Sequence, residues 1–137
     1  MRYSTFTRHV QALKPQSLSA GAEAFTSGID CLGYRWAEVV LLTGTATGSI
    51  AAANIQESSD DGSVDAYADV TSADFTAITS ANDDAAYVIR LDLTKRERYI
   101  RVGYDVDTNA VLAAVHVVLM DPVNAPATAS ATIVATV

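Results

Sequence analysis

The sequence predicts an all-β protein: an antiparallel β-sandwich, jelly-roll-like, with an extended N-terminal arm and a C-terminal tail. Three observations carry that expectation. Roughly seven or eight short apolar runs are separated by turn residues, the pattern of a sandwich or barrel. Two of those runs, Ala86–Leu93 and Arg98–Val106, place apolar residues at every second position. No long window keeps the 3.6-residue period of an amphipathic helix. Composition agrees. Half of the 137 residues are apolar, Ala and Val dominate, and aromatics are only 7%. That is the make-up of strands with thin, flat packing layers. The length suits one domain, and the expected layout is an arm at 1–16, a sandwich at 17–120 and a tail or added strand at 121–137.

In chain order, Met1–Gln16 has no clean periodicity. Tyr3, Phe6 and Val10 could form one stripe of a short helix, and Pro15 interrupts any regular element. The reading is an arm with partial order that docks on a neighbour. Ser17–Ala24 and Phe25–Leu32 are candidate short strands, closed by a turn at Gly33-Tyr34. Arg35–Thr47 is the strongest early strand. Its apolar run Val39–Leu42 suits cover on both faces, and Trp36, the only tryptophan, is expected as a core anchor. Gly48–Gln56 places Ile50, Ala52 and Asn54 on one face and Ala51, Ala53 and Ile55 on the other.

Ser58-Ser59-Asp60-Asp61-Gly62 is a turn, because Asp bonds local backbone and Gly supplies positive φ. Val64, Tyr67 and Val70 form an irregular return, and Phe75 and Ile78 pin a loop. After a turn at Asn82-Asp83-Asp84, Tyr87, Ile89, Leu91 and Leu93 form the inner face of a half-buried strand. Thr94-Lys95-Arg96-Glu97 is a charged hairpin connection to Arg98–Val106, in which Ile100, Val102, Tyr104 and Val106 face inward. Ala110–Met120 is apolar on both faces, so it is a central strand or one covered by a partner. Thr128–Val137 has no charged side chain and is β-prone. Left free it would be an aggregation hazard, so it is expected to pair with its own sheet or a neighbour's.

Charge is uneven along a chain of net charge −7. Arg2, Arg8 and Lys14 precede the first acid, Glu23. From Glu57 to Asp84 the acids Glu57, Asp60, Asp61, Asp65, Asp69, Asp74, Asp83 and Asp84 occur with no Lys or Arg. A basic arm and an acidic face attract each other between copies; the bland alternative is a solvated surface and a loose terminus. The acidic bulk argues against nucleic acid, which needs clustered cations. No run of 18 apolar residues suggests a membrane span, and no apolar core marks a signal peptide.

Chemical motifs are sparse, so no catalytic residue, metal or cofactor is assigned and no enzyme is expected. Cys31 is the one cysteine, which excludes an internal disulfide and reads as a small buried hydrophobe. The run Asp60-Asp61-Gly62-Ser63-Val64-Asp65 lacks EF-hand spacing and a closing Glu, so a solvated turn outweighs calcium binding. His116 lies in an apolar strand and reads as a packed or interface histidine. Arg98 and Arg101 are expected to pair with acids across the sheet.

The chain resembles small tailed-phage structural proteins over roughly Ile50–Val106. The residues that carry this are Gln56, Ser58 or Ser59, Asp60, Asp61 and Gly62, then Tyr67 and Asp69, and later Arg98, Tyr99, Ile100, Arg101 and Val102. A Trp often stands where this chain has Tyr67. The resemblance implies a virion component made in the host cytoplasm. The leading expectation is a head decoration or cement protein that binds the capsid surface and stabilises the shell. Its implied partners are the major capsid protein and copies of itself, with a trimer expected from threefold docking positions. A tail or head–tail joining protein is the alternative in the same class. A carbohydrate-binding module using Tyr3, Tyr34, Tyr67 or Tyr99 is the alternative from another class. The candidate contact residues are Arg2, Tyr3, Phe6, Arg8 and Lys14 in the arm, Asp60 and Asp61 at the turn, and Ile133 and Val134 in the tail.

Overall fold

Alternating apolar residues bury one face of a strand, so two such sheets close on each other. The computed structural model describes residues 6–124, which form nine strands: β1 (Thr7–Leu18), β2 (Ala24–Phe25), β3 (Ile29–Asp30), β4 (Tyr34–Ala46), β5 (Ser49–Ser58), β6 (Ala68–Phe75), β7 (Ala86–Asp92), β8 (Tyr99–Thr108) and β9 (Val111–Pro122). The first sheet has the order β1-β9-β4-β7. The second has the order β2-β8-β5-β6, with β3 also on β8. Every pairing is antiparallel.

The pairing follows one rule. The first strand pairs with the last, β2 and β3 with β8, β4 with β7, and β5 with β6. β2 and β3 act as one interrupted strand, because between them Thr26 N donates to Val102 O at 2.9 Å and Val102 N donates to Thr26 Oγ1 at 3.0 Å. The chain is therefore one long hairpin rolled into two sheets, a jelly roll. The tip of that hairpin is the loop between β5 and β6.

Inward positions in β7 and β8 fall in the expected sets, and β9 adds its own. Leu91, Ile100, Val102, Val106, Val115, Val117 and Leu119 are buried. β9 is central, between β1 and β4, which explains its apolar character on both faces. In β5 the parity shifts. Ile50, Ala53 and Ile55 share the buried face, because the ladder to β8 is irregular between Ile50 and Ala52. A bulge inserts one residue, so every side chain beyond it changes face.

Other expectations are corrected. Thr7–Leu18 is a strand paired to β9 along its length, not a helical stripe ended by Pro15. Proline is tolerated because β1 is an edge strand. This strand crosses the arm boundary expected at residue 16. Trp36 is 46% exposed rather than a core anchor. Ala37, Val39 and Leu41 take the inward positions of β4, so Trp36 falls on the outer face. Val64 in the return is 92% exposed, and the segment pinned by Phe75 is the end of β6. Thr94–Glu97 is not a hairpin: a 3₁₀ turn at Leu93–Lys95, capped by Asp92, carries the chain from one sheet to the other.

The rolled core predicts a sharp contrast. Ile55 has no exposed surface, so Ile55→Ala is expected to cost about 2–5 kcal/mol in urea unfolding. Val64→Ala is expected to stay within about 0.5 kcal/mol.

Candidate functional site

The hairpin tip holds the densest polar network among the described residues. Ser58, at the end of β5, has no exposed surface. A buried hydroxyl needs partners, and its Oγ donates to Asp65 O at 2.8 Å while accepting from Gly62 N at 2.8 Å and Asp60 N at 3.2 Å. Asp60 turns its carboxylate into the loop and accepts from Ser63 N at 3.0 Å, Val64 N at 2.8 Å and Asp65 N at 3.1 Å. Asp65 accepts from Ser59 N at 2.8 Å, a bond that holds its carboxyl below the usual carboxylate range. Asp61 and Gly62 both adopt positive φ, 62° and 76°, which sharpens the reversal.

The loop then folds over the outer face of the second sheet. Tyr67 Oη donates to Asp61 Oδ1 at 2.6 Å. Burial and that carboxylate push the phenol well above its ordinary range. Both groups lie so close to Gly28 that a Cβ there would fall 1.8 Å from Asp61 and 2.3 Å from Tyr67. The guanidinium of Arg101 is held between two rings, 3.8 Å from the centre of Phe25 and 4.1 Å from that of Tyr67. Its Nε donates to Gln56 Oε1 at 2.9 Å. Gln56 Nε2 and Asn54 Nδ2 each donate to Asp69 at 2.8 Å. This stack ties β2, β5, β8 and the return segment together.

Of the carboxylates that best resembled a calcium loop, Asp60 and Asp65 accept from loop backbone and Asp61 accepts from Tyr67 Oη. Among the described residues no group of three or more His, Cys, Asp or Glu could hold a metal ion. Cys31 is buried, and burial pushes its thiol up to about 12. His116 meets His9 on the outer face of the first sheet, with rings stacked at 5.2 Å. Burial, then the charge on His9, lowers its pKa. No described helix is long and apolar enough to cross a membrane.

The expected contact residues divide. Arg2, Tyr3, Ile133 and Val134 lie outside the described residues. Asp60 is spent inside the loop. Asp61 is exposed but occupied by Tyr67. Lys14 is exposed on β1, Phe6 is 38% exposed just before it, and Arg8 Nη1 donates to Asp30 O at 3.5 Å. No ion pair among the described residues joins Arg8 or Lys14 to the loop. Arg98 does pair with an acid, reaching Asp30 through Nε at 3.0 Å and Nη2 at 2.7 Å. Arg101 takes a glutamine and two rings instead. The Arg101 stack was missed because Phe25 lies 76 positions away and only strand order brings it near. Two of the four tyrosines expected for sugar stacking are engaged, since Arg101 covers Tyr67 and Arg98 lies 5.0 Å from the Tyr99 ring centre, and Tyr3 lies outside the described residues.

No family model matches the chain, and no curated protein matches it. Among solved structures it is similar to a chain of the "Structure of infectious bursal disease virus Gx strain", at 14% identity and a TM-score of 0.27. The overlap covers 85% of this chain and spans 42% of that one. A similarity of that size does not bear on function.

The Arg98–Asp30 pair gives a signed pH dependence. The Arg98 hydrogen bond lowers the Asp30 pKa. Its contribution is therefore present above the unfolded value of about 3.9 and lost as pH falls through the lower folded value. Asp30→Asn is expected to lower Tm slightly at pH 7, the pair being partly exposed. The gap between variant and parent should close as the medium is acidified through that range. A gap independent of pH would contradict this.

Proposed function

We propose that this chain is a structural protein of a tailed-phage virion, a decoration protein that binds the head shell together with copies of itself and stabilises it. One observation carries the reading. The two parts of the resembled pattern, Gln56–Gly62 and Arg98–Val102, come from distant parts of the chain yet lie side by side in the second sheet. Gln56 pairs with Arg101 in register and accepts its hydrogen bond. The pattern thus belongs to one folded unit rather than to two coincidental turns.

Two further features support the same reading. The polar cluster at the hairpin tip spends its side chains on the loop's own backbone and on one another. The outer face of the first sheet presents Trp36, Leu42, Val88 and Leu112, each more than 40% exposed. Exposed apolar groups of this kind suit contact with other proteins. The partner in this reading is the major capsid protein, and the assembling unit is a trimer.

Purified chain added to phage heads that lack it is expected to bind at saturable stoichiometry and raise the melting temperature of the shell. Absence of binding would overturn the reading. Imaging of intact particles would show it distributed over the shell; density confined to the tail axis would contradict a decoration role.

A further inference from the structure

His9 and His116 are the only histidines in the chain, and the fold brings them together from distant positions. They stand on the first and last strands, β1 and β9. Both lie in the stretch where those strands keep one register, from Thr7 opposite Met120 to Gln11 opposite His116. The paired backbone therefore fixes how far apart the two rings can be.

Nδ1 of His9 and Nε2 of His116 are 3.0 Å apart. One ring donates the proton between them and the other accepts it. The same separation suits a second use of the two nitrogens. Imidazole nitrogens bound to one zinc ion at about 2.0–2.1 Å stand roughly 2.9 Å apart at right angles and roughly 3.4 Å apart in a tetrahedron. Two nitrogens already at such a distance meet one ion when each ring tilts outward. That side is open, because His9 is exposed and His116 is only partly buried.

The surroundings do not repel a cation. The residues in register with the pair are uncharged: Gln11 and Val40 flank His116, and Val118 faces His9. Arg8, next to His9 in the chain, reaches away to Asp30 O. Glu38 on β4 stands opposite Val118 and is paired with Arg90 of β7. Burial, then the charge on His9, lowers the pKa of His116, which keeps its ring neutral and able to ligate at pH 7.

We propose that His9 and His116 form a two-histidine site for a divalent transition ion, Zn²⁺, Ni²⁺ or Cu²⁺, that pins the first strand of the roll to the last. Among the described residues no third His, Cys, Asp or Glu completes a metal-binding group, so water fills the remaining positions. Imidazole selects these ions over Mg²⁺ and Ca²⁺, which take oxygen ligands. The proton between the two nitrogens must leave them for the ion to enter, so affinity falls as pH falls.

The consequence for the fold is a cross-link. β1 is an edge strand, and its ladder to β9 shifts register twice beyond Gln11. The ion joins the two strands ahead of those shifts. Because it binds the folded pair and not the separated histidines, it stabilises the chain by mass action.

Calorimetric titration of Ni²⁺ into the untagged full chain at pH 7.5 tests this, with thermal unfolding followed in parallel. One ion per chain is expected to bind and raise Tm, whereas Mg²⁺ is expected to do neither. His9→Gln and His116→Gln are each expected to lose both effects, and so is the parent at pH 5, where protons displace the metal. In the unmodified protein, Ni²⁺ is expected to broaden amide NMR signals around residues 9 and 116. No binding, binding that survives in either variant or at pH 5, or broadening centred on the acidic loop at residues 60–65 would overturn the proposal.

Discussion

One hydroxyl fixes the point at which this chain reverses. Ser58 Oγ, wholly buried, bonds the backbone of Asp60, Gly62 and Asp65 at once. The half of the chain before it and the half after it then pair outward from the tip, β5 with β6 and finally β1 with β9. Register is set nearest the tip and propagates. A slip of one residue there would turn every inward side chain of β5 to solvent. The acidic character of the tip follows from the same need. Asp side chains are short acceptors that satisfy the exposed N–H groups of a tight reversal, and Asp60 alone satisfies three.

Local periodicity made part of this fold legible. β7 and β8 could be read because their apolar residues recur at period two, β9 because it is apolar on both faces, and the acidic turn because Asp-Asp-Gly has few other uses. Other features depend on partners that a sequence does not display. Trp36 reads as core by size, yet the parity of β4 gives the inward positions to Ala37, Val39 and Leu41. The parity of β5 could not be read past Ile50, because a bulge leaves no residue-type signature there. β1 reads as an irregular arm because it carries Pro15 and Lys14, the features an edge strand uses against aggregation. Thr94–Glu97 looks like a hairpin locally, but a rolled hairpin sends the chain to the opposite sheet at that point.

The candidate site shows the same limits. Its acids were visible, but their targets were not. Carboxylates that could ligate a cation in an open loop are here committed to backbone N–H groups, at Asp60 and Asp65, and to the Tyr67 hydroxyl, at Asp61. Arg101, which alternation places opposite Ile100, gains its role from Phe25 and Tyr67 converging on one guanidinium. Cation–π contacts of this kind require strand order, which composition and spacing do not encode. These polar groups are spent on the loop's own backbone and on one another.

The central claim, that the Ser58 hydroxyl sets the reversal on which the roll depends, is tested most directly by hydrogen exchange and urea unfolding of Ser58→Ala. Removing the oxygen leaves the Asp60 and Gly62 amides and the Asp65 carbonyl without that partner. The account predicts a loss of about 1–3 kcal/mol and faster exchange at Gly62 and along the ends of β5 and β6. Parental stability with unchanged protection across residues 58–68 would contradict it.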